Sequence, residues 1–188
     1  MDPLSATLRE VIEALDSVGI RYAIGGSLAS SARSIWRSTA DVDLIAAILP
    51  TQVGAFIRAL GNDWYADVDE ARRAISARRS FNLIHMKSVQ KVDVFPAHEA
   101  FHRTQLDRAT ILNLTEDRVP CRITTAEDIL LAKLRWYADG GQVSERQWND
   151  ITTLIAINVA MDWEYVADWA PRLGVSELLK RAQADARR

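Results

Sequence analysis

Between Asp41 and Ile45 the chain sets two carboxylates at i and i+2 within an otherwise apolar run, Asp41-Val-Asp-Leu-Ile45. Strand alternation puts Asp41 and Asp43 on one face and Val42 and Leu44 on the other. The apolar partners suggest a strand embedded in a core, where two adjacent anions repel and burial raises the cost. The pair either turns to bulk water at a strand end or is offset by a cation. Alone it means little: 16 Asp among 188 residues produce about one Asp-x-Asp by chance, and Asp67 with Asp69 forms a second, in a segment that reads as loop or helix start.

Its surroundings add meaning. Upstream, the short β-prone run from Arg21 closes on Gly25-Gly26-Ser27, which opens a helix-compatible stretch to Ile35. Glycines let backbone approach a ligand closely, and the N–H groups at a helix start point toward an anion. Ser27 adds a hydroxyl donor. Downstream, Asp93 lies inside Val92-Asp-Val94 on a predicted strand. An adjacent strand would let Asp93 complete a three-carboxylate oxygen site, the donor type Mg²⁺ prefers. No Gly-Lys-Ser/Thr and no Gly-x-Gly-x-x-Gly occurs, which disfavours P-loop NTPases and Rossmann dehydrogenases.

The order of elements predicts an α+β chain: a mixed sheet flanked by helices, with a C-terminal helical subdomain. Helices are expected over residues 4–18, 51–60 and 69–78, with a hairpin of 81–86 and 91–95 and strands near 109–114 and 119–123. From Thr125 the pattern is helical throughout: one helix to about Ala138, one from Ser144 through Ala160, and two shorter ones from Asp162 and Val175. The expected organisation is a domain over 1–124 and a subdomain over 125–188. An apolar fraction of 48% excludes disorder, and lone Cys121 excludes a cystine scaffold or a Cys-rich zinc site. No apolar run reaches the ~20 residues of a membrane span, and the acidic N-terminal stretch is unlike a signal peptide, so a cytoplasmic protein without membrane partners is expected. Residues 1–100 hold 11 basic against 12 acidic side chains and residues 101–188 hold 12 against 13, so neither half is built to grip a long duplex.

Gly-Gly-Ser, then thirteen residues, then Asp-Val-Asp-Leu, then a later Val-Asp-Val resembles the signature of the DNA polymerase β-type nucleotidyltransferase superfamily. The resemblance covers about residues 5–96. The helical tail is similar to that of small bacterial members, including toxin–antitoxin-associated ones. There, Ala126-Glu-Asp-Ile-Leu-Leu-Ala-Lys133-Leu is similar to a helix whose lysine faces nucleotide phosphates, and Phe81-Asn-Leu-Ile-His85 also fits that subgroup.

The resemblance implies two-metal transfer of a nucleoside monophosphate from an NTP to an acceptor hydroxyl, with release of pyrophosphate. Asp41, Asp43 and Asp93 would be the catalytic residues and the ligands of Mg²⁺ or Mn²⁺. Gly25, Gly26, Ser27 and Lys133 would bind the nucleotide. The acceptor stays open between RNA, a protein side chain and a small alcohol, and a cognate toxin or antitoxin is a possible partner. The alternative is a non-catalytic nucleotide-binding or antitoxin-like protein on the same fold. Lys133 also reads as a snorkelling surface lysine, His85, His98 and His102 as surface or hairpin residues, and Arg72, Arg73, Arg78 and Arg79 as a solvated helix face. Trp136, Trp148, Trp163 and Trp169 read as core. Glu127, Asp128 and Asp150 read as cap or surface groups.

Overall fold

The computed structural model describes residues 2–34, 41–115 and 117–187, so Ile35 at the expected end of the second helix lies outside the described residues. Two compact units are divided after Leu28 and after Thr124, and Ala29 onward through the rest of that helix groups with the second.

In the first unit, α1 (Pro3–Ser17) buries Leu8, Val11 and Leu15 along its predicted stripe, and the Asp2 side chain caps it by accepting the Ser5 N–H. Then come β1 (Tyr22–Ile24), α2 (Gly26–Arg33), β2 (Asp41–Ala46), α3 (Val53–Leu60), β3 (Trp64–Tyr65), α4 (Val68–Ser76), β4 (Phe81–His85), β5 (Gln90–Pro96), α5 (Ala100–Arg108), β6 (Thr110–Asn113) and β7 (Pro120–Ile123). The strands form one mixed sheet ordered β3-β4-β5-β2-β1-β7-β6. β2 runs parallel to β5, and β1 parallel to β7.

Alternation divides the two faces of this sheet. Val42, Leu44, Phe81, Leu83, Val92 and Val94 are buried on one face, where α1 meets β5 and α3, and α4 meets β4 and α3. The other face is covered by α5 beside β1 and β2, through Ala23, Ile45 and Leu106. Beyond that patch it carries Asp41, Asp43, Lys91, Asp93 and Asn82.

Several expectations are corrected. α3 begins at Val53 rather than Thr51, because Leu49 to Gln52 first closes a turn in which the Gln52 side chain accepts the Leu49 N–H. Asp67 does lie at a helix start, as expected: it is the N-cap of α4, accepting the Glu70 N–H. His85 is a hairpin residue but not a surface one: strand parity sends it inward with Phe81 and Leu83, to 4% exposure. There its ring packs against Trp64, and its Nδ1 is 2.6 Å from Ser88 Oγ.

The second unit contains α6 (Ala126–Asp139), α7 (Glu145–Ile157), α8 (Trp163–Arg172) and α9 (Ser176–Asp185). Thr125, Ser144 and Asp162 cap the first three by accepting backbone N–H groups. α7 stops at Ile157, short of the expected Ala160, because Asn158 leaves the helical conformation with ψ 73°. α6 packs on α7, α8 and α9 through Ile129, Leu130, Leu131 and Leu134. Trp136 is 63% exposed and is not a core residue; it shares α6 with that buried stripe but lies off it. Asp128 is fully buried, accepting hydrogen bonds from the Tyr165 hydroxyl at 2.5 Å and the Thr125 hydroxyl at 3.0 Å.

Candidate active site

The parallel ladder of β2 and β5 pairs Asp41 with Lys91 and Asp43 with Asp93. Paired residues project from the same face, so three carboxylates and one ammonium gather there. The Lys91 Nζ lies 2.8 Å from Asp93 and 4.0 Å from Asp41. Asp41 is half-exposed, whereas the Asp93 side chain retains 15% exposure. Burial and then the neighbouring Asp93 raise the Asp43 carboxyl above the usual carboxylate range, opposed by a hydrogen bond from the Ser27 backbone. The bond to Asp93 in turn raises the Lys91 ammonium.

Gly25-Gly26-Ser27 is built onto this pair. The Gly25 N–H donates to the Asp43 carbonyl at 2.9 Å, continuing the β1–β2 pairing by one residue. Gly26 has φ +57°, and a Cβ there would lie 1.7 Å from Asp43 Oδ2. Only glycine fits while Asp43 stands where it does. Gly26 and Ser27 are exposed at the start of α2, whereas Gly25 is buried. The Ser27 amide, a donor the sequence reading offers to phosphate, is engaged by Asp43.

Asp41, Asp43 and Asp93 therefore come together with Gly25, Gly26 and Ser27 in the first unit. Lys133 belongs to the second, where its Nζ bonds Asp150 at 3.1 Å and its side chain is 17% exposed. Asp150 is thus an ion-pair partner rather than a cap. Arg72, Arg73, Arg78 and Arg79 are exposed, and Arg72 pairs with Asp69 within α4.

Among the described residues no three His, Cys, Asp or Glu side chains are gathered as a ready metal site. Lys91 Nζ already stands against Asp93 and Asp41. The donor chemistry fits a hard divalent ion even so: the acidic side chains offer oxygen alone, and one lysine leaves the Asp43–Asp93 repulsion only partly offset. Sequence reasoning missed Lys91, although its signal was available. It precedes Asp93 by two residues on a strand and so shares its face.

No family model matches the chain, and no curated protein matches it in sequence. Solved structures do. A solution structure of the antibiotic-resistance factor ANT(2'')-Ia aligns with TM-score 0.54 and 17% identity over 96% of this chain and 99% of that one. A crystal structure of ANT(2'')-Ia with adenylyl-2''-tobramycin gives 0.56 and 15%, over 92% and 97%. An antigenic nucleotidyltransferase-like protein from Paracoccidioides brasiliensis gives 0.56 and 18%, over 96% and 92%. The fold is that of the nucleotidyltransferases. At these identities the likeness covers architecture, and the chemistry is argued from the residues.

Proposed function

We propose that this protein is a metal-dependent nucleotidyltransferase that moves a nucleoside monophosphate from an NTP to an acceptor hydroxyl. One observation carries the reading: the glycine turn at a helix start is fitted sterically to Asp43, and Asp43 stands in register beside Asp93. A mere turn does not require a glycine whose absent side chain is replaced by a carboxylate.

In this reading Asp41, Asp43 and Asp93 hold Mg²⁺ or Mn²⁺. Such ions, when bound, offset triphosphate charge and acidify the attacking hydroxyl. Gly25, Gly26 and Ser27 receive the β- and γ-phosphates at the start of α2, where Gly26 and Ser27 are exposed. A bond forms between the acceptor oxygen and the α-phosphorus, the bond from that phosphorus to the bridging oxygen breaks, and pyrophosphate leaves. The acceptor's proton passes to the Asp93 carboxylate. Lys133 is assigned to the leaving pyrophosphate on the strength of the resemblance.

The alternative, a non-catalytic binding protein, draws its support from Lys91. A resident ammonium that satisfies Asp93 serves a fold which keeps its carboxylates without using them. A toxin–antitoxin partnership rests on the resemblance of the tail alone and is tested by co-purification with the products of neighbouring genes.

The deciding experiment incubates the protein with each α-labelled NTP and Mg²⁺ in a cell extract and follows the label. Transfer to a macromolecule or small molecule with pyrophosphate release supports the enzyme. Metal-dependent stabilisation by NTP without any transfer supports the binding protein.

A further inference from the structure

On β4, beside the carboxylates, the open face of the sheet carries a polar residue with no part in the scheme above. Asn82 on β4 pairs with Asp93, which pairs with Asp43. Asn82, Asp93 and Asp43 therefore leave the same face in one row across three adjacent strands, each about 4.8 Å from the next. Its chain neighbours Phe81 and Leu83 are buried on the opposite face, whereas Asn82 is exposed. Its carboxamide makes no hydrogen bond to any described residue. Asparagine is depleted in strands, and here it contributes neither a cap nor a turn.

The next row extends the same surface. Asp41 pairs with Lys91, Lys91 with Ile84, and Ile84 with Tyr65 on β3. Tyr65 is 62% exposed. Across the sheet, Gly25-Gly26-Ser27 flanks the carboxylates on the β1 side, while Asn82, Ile84 and Tyr65 flank them on the β4–β3 side. If the triphosphate lies on the first side, the molecule that attacks it must approach from the second. Lys91 is the only cation in these two rows and is engaged by Asp93, so this flank offers neutral hydrogen bonding and apolar contact rather than a phosphate site.

We propose that Asn82 is an acceptor-binding residue. Its carboxamide, both donor and acceptor, holds a neutral polar group next to the attacking hydroxyl and so presents that hydroxyl to Asp93. Ile84 and Tyr65 form the floor beneath it. This rests on the nucleotidyl-transfer reading and adds to it the side from which the acceptor comes and how it is recognised.

The test uses Asn82→Leu, close in shape and unable to hydrogen-bond. Transfer of label from α-labelled NTPs with Mg²⁺ is measured into two probes, the total RNA and the desalted small-molecule fraction of one bacterial extract. NTP affinity is followed separately by thermal shift with Mn²⁺. Loss of one neutral hydrogen bond predicts transfer reduced about 5–10-fold at limiting acceptor. Raising the acceptor concentration should restore most of it, with NTP affinity unchanged within about twofold and Asn82→Gln partly active. Transfer by Asn82→Leu equal to the parent's overturns the assignment, as does a fall in NTP affinity that matches the fall in transfer. A parent that labels neither probe, nor the protein of the same extract, defeats the transfer reading itself, and the role of Asn82 with it.

Discussion

Two carboxylates leave solvent in this protein by opposite routes. Asp128, in the helical unit, is fully buried against two hydroxyl donors, from Tyr165 and Thr125. Asp43, in the sheet unit, lies beside another carboxylate and receives a single backbone N–H from Ser27. The first arrangement gives the carboxylate hydroxyl donors from two elements and ties α8 to α6. The second keeps an anion short of compensation, a shortfall that a proton or an added cation relieves. Burial alone therefore does not separate the two acids; the company each keeps does.

Substitution should separate the two. Asp43→Asn is expected to cut turnover on the order of 10³-fold, as when a charge that stabilises a transition state is removed. It should also abolish the thermal shift given by NTP with Mn²⁺. Without metal, its stability at neutral pH should rise by about 1 kcal/mol at most, the size of a like-charge pair relieved across strands. The sign follows from the raised Asp43 carboxyl, which costs stability when ionised and none when protonated. The advantage should therefore shrink as pH falls into the carboxylate range. Urea titration at neutral and acidic pH reads both ends, and a variant less stable than the parent at neutral pH would erase the contrast.

Asp128→Ala should behave in the reverse sense. It removes the acceptor of the Tyr165 and Thr125 hydroxyls and is expected to cost about 3 kcal/mol, while nucleotide affinity per folded molecule stays put. A stable Asp128→Ala that loses nucleotide binding would place Asp128 with the working acids.

Lys133→Ala asks whether the helical unit contributes to the nucleotide site at all. Loss of a charge-assisted bond of about 1.5–3 kcal/mol implies roughly 10–150-fold weaker NTP binding or turnover. Lys180, an exposed residue paired with Glu177 in its own helix, is the control. Equal behaviour of Lys133→Ala and Lys180→Ala would leave Lys133 as the partner of Asp150 and no more.

The smallest effect is expected at Lys91. Lys91→Met removes the ammonium that competes for Asp93 and Asp41, so Mn²⁺ affinity should rise about 3–10-fold, equivalent to ~1 kcal/mol. Weaker Mn²⁺ binding would show that Lys91 assists the site rather than standing in for its ion.

What could be read from the sequence followed from local rules. Alternation in Asp41–Ile45 and Val92–Val94 located both acid-bearing strands, and the Thr125, Ser144 and Asp162 caps located three helix starts. Elements set by long-range pairing escaped. β3 is two residues long and exists through its ladder with β4. α5 buries only Phe101, Gln105 and Leu106 and has no side-chain cap, too thin a stripe to register as periodic. In the candidate site, the individual carboxylates and glycines were visible, but their register was not. That Asp43 faces Asp93 rather than Val92 or Val94, and that Asn82 completes the row, depends on how β2, β5 and β4 slide against one another.

The bond from the Ser27 amide to Asp43 has a consequence for selectivity. A helix start with free N–H groups attracts any small anion. Here one of the donors already serves an internal anion, so an incoming ligand gains only the difference between its own bond and the one it displaces. Chloride, acetate or free phosphate would leave Asp43 stranded beside Asp93. A ligand that arrives with its own divalent ion would compensate Asp43 and release the amide in the same event. In the proposed function, the protein would thus screen anions by whether they bring a cation with them, before any feature of base or sugar is read.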